Sequence, residues 1–72
     1  MDIDNLIRMA NRIADFFKAM PNREQALHDA VEHIHRFWEP RMRKEMQTHL
    51  ETNQGLGLDP FLIEAFAKYP IC

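Results

Sequence analysis

Four prolines divide this 72-residue chain into stretches that each carry the apolar spacing of an α-helix. They are Pro21, Pro40, Pro60 and Pro70. Because proline lacks a backbone N–H and disfavours helical geometry in the preceding residue, a helix must end ahead of it or begin with it. No strand pattern and no internal repeat is present. We therefore predict a small, single all-α domain over residues 1–72. It has three to four short helices joined by tight Pro- and Gly-containing turns, at about residues 3–20, 23–38, 40–52 and 60–68.

The first helix has the clearest pattern. Its apolar residues recur at three- and four-residue steps, and they are Ile3, Leu6, Ile7, Ala10, Ile13, Ala14, Phe17 and Met20. Met9 and Phe16 lie beside this stripe and widen it to about half of the helix surface. A helix with so broad an apolar face is expected to contact two neighbours. Either Asp2 or Asp4 is suited to cap its start.

The remaining helices carry different signals. Asn22 can cap the second helix, with Gln25 placed for a reciprocal capping box. The third helix has one narrow apolar row, formed by Met42, Met46 and Leu50. The fourth, FLIEAFAKY, is apolar on nearly all sides and follows Asp59-Pro60, a cap and a first-turn proline.

The size of the chain makes a partner a realistic expectation. A domain of this length buries only about 60% of the surface that its unfolded chain exposes. Such domains usually rely on disulfides, a metal or a partner. The only cysteine is Cys72, so an internal disulfide is excluded, and this count fits a reducing compartment. The acidic start, MDIDNL, has no long apolar run behind it. That argues against a signal peptide, a transit peptide or a membrane span, and we expect a cytoplasmic protein.

No pattern of catalytic or ligand-binding residues stands out. Four histidines occur, but His33 and His35 are two residues apart and point to different faces of a helix, and no cysteine lies near them. A Gly-rich phosphate loop and a nucleophile elbow are both absent from the sequence. We therefore assign no catalytic, cofactor-binding or metal-binding residue and predict that the chain is not an enzyme by itself. Its histidines are expected to be solvated or to face a partner.

The stretch HRFWEPRMRKEM, residues 35–46, concentrates aromatic and basic side chains. Four cations and one carboxylate give residues 36–44 a net charge of +3, and since the whole chain carries −2, the remainder carries −5. Three of the cations fall at the predicted N-terminus of the third helix, where the helix dipole disfavours positive charge. Either Glu39, Glu45 and water stabilise them, or acidic groups of a partner do.

The pair Phe37-Trp38 is also open to two interpretations. Adjacent residues lie about 100° apart on a helix, so one ring can enter the core while the other lies at its margin. Trp and Arg are, however, enriched at interface hot spots, and Met is common at contact surfaces. The candidate partner-binding residues are Arg36, Phe37, Trp38, Pro40, Arg41, Met42, Arg43, Lys44 and Met46.

Three blocks of the sequence resemble one family. LIRMANRIADFF (residues 6–17), RFWEPRMR (36–43) and GLDP (57–60) are similar, in order and spacing, to the delta subunit of soluble NAD-dependent formate dehydrogenase. The similarity extends over most of the chain, and the RFW-x-PRMR block is its most specific part. The resemblance implies a small accessory subunit of a cytoplasmic complex that oxidises formate to carbon dioxide and passes the electrons to NAD.

The cofactors implied by the resemblance belong to other subunits. The large catalytic subunit is expected to hold a molybdenum or tungsten bis-pterin and iron–sulfur clusters, and companion diaphorase subunits to hold FMN and further clusters. No cofactor is implied on this chain. Its implied role is to support the assembly or stability of the complex, or its retention of the pterin.

Three hypotheses follow. In the first, a non-catalytic subunit docks on the large catalytic subunit through residues 36–46 and through it contacts the diaphorase subunits. In the second, the chain is a transient chaperone for cofactor insertion. In the third, it is a small helical nucleic-acid-binding protein, which its negative net charge disfavours; we expect neither nucleic acid nor membrane as a partner. The isolated chain could also self-associate through helix four and the Met row.

Overall fold

Four α-helices follow one another along the chain. In the computed structural model, which describes residues 2–72, they are α1 (Ile3–Phe17), α2 (Arg23–Phe37), α3 (Pro40–Asn53) and α4 (Pro60–Lys68). No strand occurs within these described residues. The predicted all-α fold is confirmed, with four helices. The ends of α2 and α3 each differ by one residue from the sequence-based prediction.

Side-chain caps explain where three of the helices begin. The Asn22 Oδ1 accepts the Gln25 N–H at 3.0 Å, and the Asp59 Oδ1 accepts the Phe61 N–H at 2.9 Å. Asp2 caps α1 through the Asp4 N–H. The predicted capping box is only half formed, because the Gln25 side chain donates to Asp29 and does not return to Asn22. At α3, Glu39 makes no side-chain cap.

The first helix ends three residues earlier than its apolar pattern predicted. Its last helical bond runs from the Lys18 N–H to the Ala14 carbonyl at 2.8 Å. The Met20 N–H then bonds to the Phe17 carbonyl at 3.0 Å, which is the tighter spacing of a turn. Pro21 disfavours helical geometry at Met20, so the effect of the proline reaches back over a full turn.

The core forms around α1, which contacts α2, α3 and α4. The broad apolar face predicted two neighbours, and it meets three. Small buried side chains, Ala10 and Ala14 on α1 and Ala26 and Ala30 on α2, leave room for close helix packing. The largest fully buried side chains are Leu6, Leu27, Ile34, Met46, Leu62 and Ile71.

The connection between α3 and α4 turns through left-handed backbone. Gln54, Gly55 and Gly57 all have positive φ, at 53°, 73° and 92°. Gly55 also has no space for a side chain, because an added Cβ would lie 2.5 Å from the Ile63 Cδ1. Glycine is therefore required at 55 by both conformation and packing.

The side chains of Asn11 and His49 bond to the backbone of this loop. The Asn11 amide donates to the Gly57 carbonyl at 3.0 Å, and its oxygen accepts the Asp59 N–H at 2.8 Å. The buried His49 lies 2.8 Å, through Nε2, from the Leu56 carbonyl. Leu56 itself points outward and is 76% exposed.

The last residues return to the helices. Ile71 is fully buried, and its carbonyl accepts the Arg43 Nη1 at 3.2 Å. The His35 Nε2 lies 3.1 Å from the Pro70 carbonyl. The segment after α4 is thus part of the packed domain.

Candidate partner-docking surface

The basic and aromatic segment 36–46 divides between core and surface. Trp38 is 5% exposed and Met46 is fully buried, so both of these predicted partner-binding side chains lie in the core of the domain and not on its exposed surface. Trp38 lies one turn after the buried Ile34 and shares its face. Phe37 points the other way and is 68% exposed. The prediction that one ring of the pair enters the core is confirmed.

Arg43 and Met42 are partly buried and contact the rest of the domain. Arg43 is half-buried and donates to the Ile71 carbonyl, while its buried Nε has no hydrogen-bond partner among the described residues. Met42 packs against the core from its margin. The members of the segment that remain exposed are Arg36, Phe37, Pro40, Arg41 and Lys44.

Hydrogen bonding separates the basic side chains into two groups. Five have acceptors within the domain, and they are Arg8, Lys18, Arg23, Arg43 and Lys68. Within residues 2–72, the other four make neither a hydrogen bond nor an ion pair, and they are Arg12, Arg36, Arg41 and Lys44. Three of these four lie within the segment that the sequence singled out.

The start of α3 places one of those cations at an unfavourable position. Glu39 forms no cap, and the first turn contains no acid. Arg41, the second residue of α3, therefore lies close to the positive end of the helix dipole, which costs a few tenths of a kcal/mol for an exposed charge. The helix dipole does not account for the placement of Arg41.

A row of four rings crosses from α1 to α2, and we call it the aromatic row. Phe16 meets Phe17 edge-on at 5.0 Å, Phe17 lies 5.8 Å from His33, and His33 lies 4.6 Å from Phe37, all between ring centroids. Phe16 and Phe37, at the two ends, are 71% and 68% exposed. The row thus exposes the phenyl rings of Phe16 and Phe37, which pack against the half-buried rings of Phe17 and His33.

Two shallow depressions flank the row, and a free arginine lines each. One, of about 340 Å³, is lined by Arg12, Ile13, Phe16, Phe17 and His33. The other, of about 320 Å³, shares Phe17 and His33 and is also lined by His28, Asp29, Glu32, Arg36 and Phe37. Arg12 and Arg36 thus lie in different depressions, and only the second depression also contains carboxylates.

Sequence analysis did not include Phe16, Phe17, His33 or Arg12 among the partner-binding residues. The row depends on the packing of α1 against α2, which no local pattern records. The one available signal was Phe16, which falls beside the main apolar stripe of α1 and widens it.

The histidines differ from expectation at one position. His49 is buried, whereas it was expected to be solvated or to face a partner. A carbonyl oxygen can only accept, so the Nε2 of His49 carries the proton and donates it to Leu56. Residues 2–72 contain no group of three or more His, Cys, Asp or Glu side chains arranged to hold a metal ion.

Comparison with protein families identifies the family of this chain. Residues 5–66 match the family described as "NADH-dependant formate dehydrogenase delta subunit FdsD". The chain belongs to the FdsD family. The resemblance carried by residues 6–17, 36–43 and 57–60 is confirmed, since all three blocks lie within the matched range. Comparisons with curated proteins and with solved structures gave no match.

Membership of the FdsD family implies that the chain has partner subunits. A delta subunit of an NAD-dependent formate dehydrogenase forms a complex with other subunits. Among the described residues, no helix of this FdsD protein is long and apolar enough to cross a membrane.

Proposed function

We propose that this chain is a non-catalytic accessory subunit that docks on the large catalytic subunit of the formate dehydrogenase. There it supports assembly, stability or retention of the pterin cofactor. In this proposal the molybdenum or tungsten pterin, the iron–sulfur clusters and FMN lie on the partner subunits, and the complex is cytoplasmic. The observation that carries the proposal is the set of four basic side chains without intramolecular acceptors, three of which lie in residues 36–44.

The electrostatics of α3 favour an external acid. Arg41 and Lys44 are exposed, and the first turn of α3 contains no acid. A carboxylate of the large subunit placed beside Arg41 would offset the repulsion with the helix dipole and form a charge-assisted hydrogen bond. An unfavourable interaction between the cation and the helix dipole in the free chain would thus be replaced by a favourable ion pair in the complex.

Charge reversal at α3 tests the proposal without disturbing the fold. In the variant Arg41→Glu, Lys44→Glu, acids replace cations in the early turns of α3, so the isolated chain should unfold at an equal or higher temperature. Co-purification of this variant with the large subunit should nevertheless fall sharply. Arg8→Glu is the control, because Arg8 is an exposed cation on α1 that bonds only to Asn5.

The stoichiometry of the complex decides between a subunit and a chaperone. A subunit is recovered one to one with active, cofactor-loaded enzyme, whereas a chaperone is recovered mainly with cofactor-poor enzyme. Recovery of the charge-reversed variant at wild-type levels would show that Arg41 and Lys44 do not dock.

A further inference from the structure

We propose that the aromatic row receives an amphipathic helix of the large catalytic subunit, with apolar residues over Phe16 and Phe37 and a carboxylate beside Arg12. This inference rests on the proposed function and names a second, distinct contact for it. The row lies on α1 and α2, whereas the basic turn of Arg41 and Lys44 lies on α3.

The exposure of the row is unfavourable in the free chain. An aromatic side chain buries about 150–250 Å² when it is covered, so two rings that are about 70% exposed leave on the order of 300 Å² of apolar surface in water. The largest apolar patch on a typical monomer covers about 300–600 Å² and is often functional, and the row falls at the lower end of that range. Rings are also rigid anchors, because they lose little side-chain entropy when a partner covers them.

The charges around the row indicate the polarity of its occupant. Arg12 lies in the depression beside Phe16, and Arg36 in the depression beside Phe37. Neither arginine has an acceptor within the described residues. The depression beside Phe37 also contains two carboxylates, Asp29, which accepts from Gln25, and Glu32, whereas the depression beside Phe16 contains none. An occupant with an acid on the Arg12 side of its apolar stripe would therefore match the row.

The area of the row argues against a second copy of this chain. A stable interface buries about 800 Å² on each partner, more than twice what the row provides. In a symmetric dimer the row would meet itself, with the same two arginines at its edges. A different chain can extend the contact beyond the row, toward the exposed Pro40 and Arg41 that follow Phe37 after the turn.

The secondary structure of the row indicates a helical ligand. Addition of a strand needs an open sheet edge, and residues 2–72 contain no strand. Two packed helices with shallow depressions between their rings instead fit the helix-in-groove mode, in which apolar anchors recur at three- and four-residue steps.

The test measures binding of the full chain to the large catalytic subunit. Phe16→Ser, Phe37→Ser should raise the Kd by about tenfold or more, because central aromatic anchors dominate interface energetics. Leu56→Ser is the matched control, since Leu56 is as exposed as either ring and lies on the α3–α4 loop. It should leave the Kd unchanged. Arg12→Glu should slow association and reduce its dependence on salt.

The outcomes separate this inference from the proposed function. Wild-type affinity of Phe16→Ser, Phe37→Ser, with loss of affinity in Arg41→Glu, Lys44→Glu, overturns the role of the row and leaves the docking subunit standing. Failure of the unmodified chain to bind the large subunit overturns both. Concentration-dependent sedimentation of the isolated chain that Phe16→Ser, Phe37→Ser abolishes would identify a second copy as the occupant and also overturn the inference.

Discussion

Asn11 on α1 and Asp59 at the start of α4 are joined across 48 positions of sequence, the Asp59 N–H donating to the Asn11 oxygen at 2.8 Å. The same side chain donates through its nitrogen to the Gly57 carbonyl at 3.0 Å. A carboxamide is suited to this position, because it offers one acceptor and one donor side by side. Asn11 therefore fixes how the α3–α4 loop enters α4.

Loss of that contact should destabilise the domain. Asn11→Ala leaves a part-buried N–H at Asp59 without its acceptor, and we expect a cost of about 2 kcal/mol in the free energy of unfolding, measured in urea. Asn5→Ala is the control, since Asn5 is exposed and accepts only from Arg8. It should change the free energy by less than about 0.5 kcal/mol. Equal effects of the two substitutions would contradict a structural role for Asn11.

The adjacent aromatics should respond in opposite ways to truncation. Trp38→Ala removes a core side chain and should cost about 3–5 kcal/mol, enough to unfold most of a domain of this size. Phe37→Ala should change stability by no more than about 0.5 kcal/mol, because the ring is mostly exposed. Thermal unfolding followed by circular dichroism measures both. A strongly destabilised Phe37→Ala would mean that the ring is covered.

The contrast between Phe37 and Trp38 shows which features of the structure could be predicted from the sequence. The order and type of all four helices were predictable because prolines and caps act within a few residues. The spacing rule also required that Phe37 and Trp38 face different ways. It could not say which is buried, because that depends on the side of α2 that packs against its neighbours.

The aromatic row and His49 lay beyond sequence reasoning for a similar reason. Phe17 and His33 meet only because α1 and α2 pack together. His49 looks like any polar helix residue until its backbone acceptor, Leu56, is brought over it by the left-handed turn. Basic side chains without an intramolecular acceptor can likewise be identified only once the positions of all acceptors in the folded domain are known. The basic turn at Arg41 was found from sequence, because the helix dipole is a local property.

The end of α3 offers a stabilising substitution. Gln54 adopts a left-handed conformation with φ of 53°, and the Gly55 N–H bonds back to the His49 carbonyl at 3.4 Å. Because only glycine takes this conformation without steric cost, Gln54→Gly should raise the free energy of unfolding by roughly 0.5–1 kcal/mol. Gln54→Ala keeps the steric cost and should give no gain. A lower urea midpoint for Gln54→Gly would contradict this account.

The ion pair between α1 and α4 should give stability a defined pH dependence. The hydrogen bond from Lys18, 2.6 Å from the Asp59 carboxylate, holds the pKa of that carboxyl below its ordinary value of 3.8. A lowered pKa in the folded state stabilises the fold above pH 3.8, and this contribution is lost as the pH falls through the folded value. Asp59→Asn keeps a capping oxygen but removes the charge.

We therefore expect Asp59→Asn to have a lower urea midpoint than the wild type at pH 7. The gap should close as the pH falls below 3.8. It should also narrow above pH 10.5, since the same pair raises the pKa of Lys18. Asp15→Asn is the matched control, because Asp15 lies 3.4 Å from the same lysine but is 71% exposed. A gap of constant size from pH 7 to pH 2 would rule out the charge as its cause.

The loop that carries Leu56 has a consequence for hydrogen exchange. Its amides at Leu56, Leu58 and Asp59 donate to Asn53, Gly55 and Asn11 at 3.0, 2.9 and 2.8 Å. A connection of this kind, rich in glycine and outside any helix, would ordinarily exchange its amide protons quickly. Here the amide proton of Asp59 can be released only when the start of α4 separates from Asn11 on α1. Its exchange rate would therefore follow the separation of these two helices, and a slowly exchanging proton would lie three residues after the most exposed leucine.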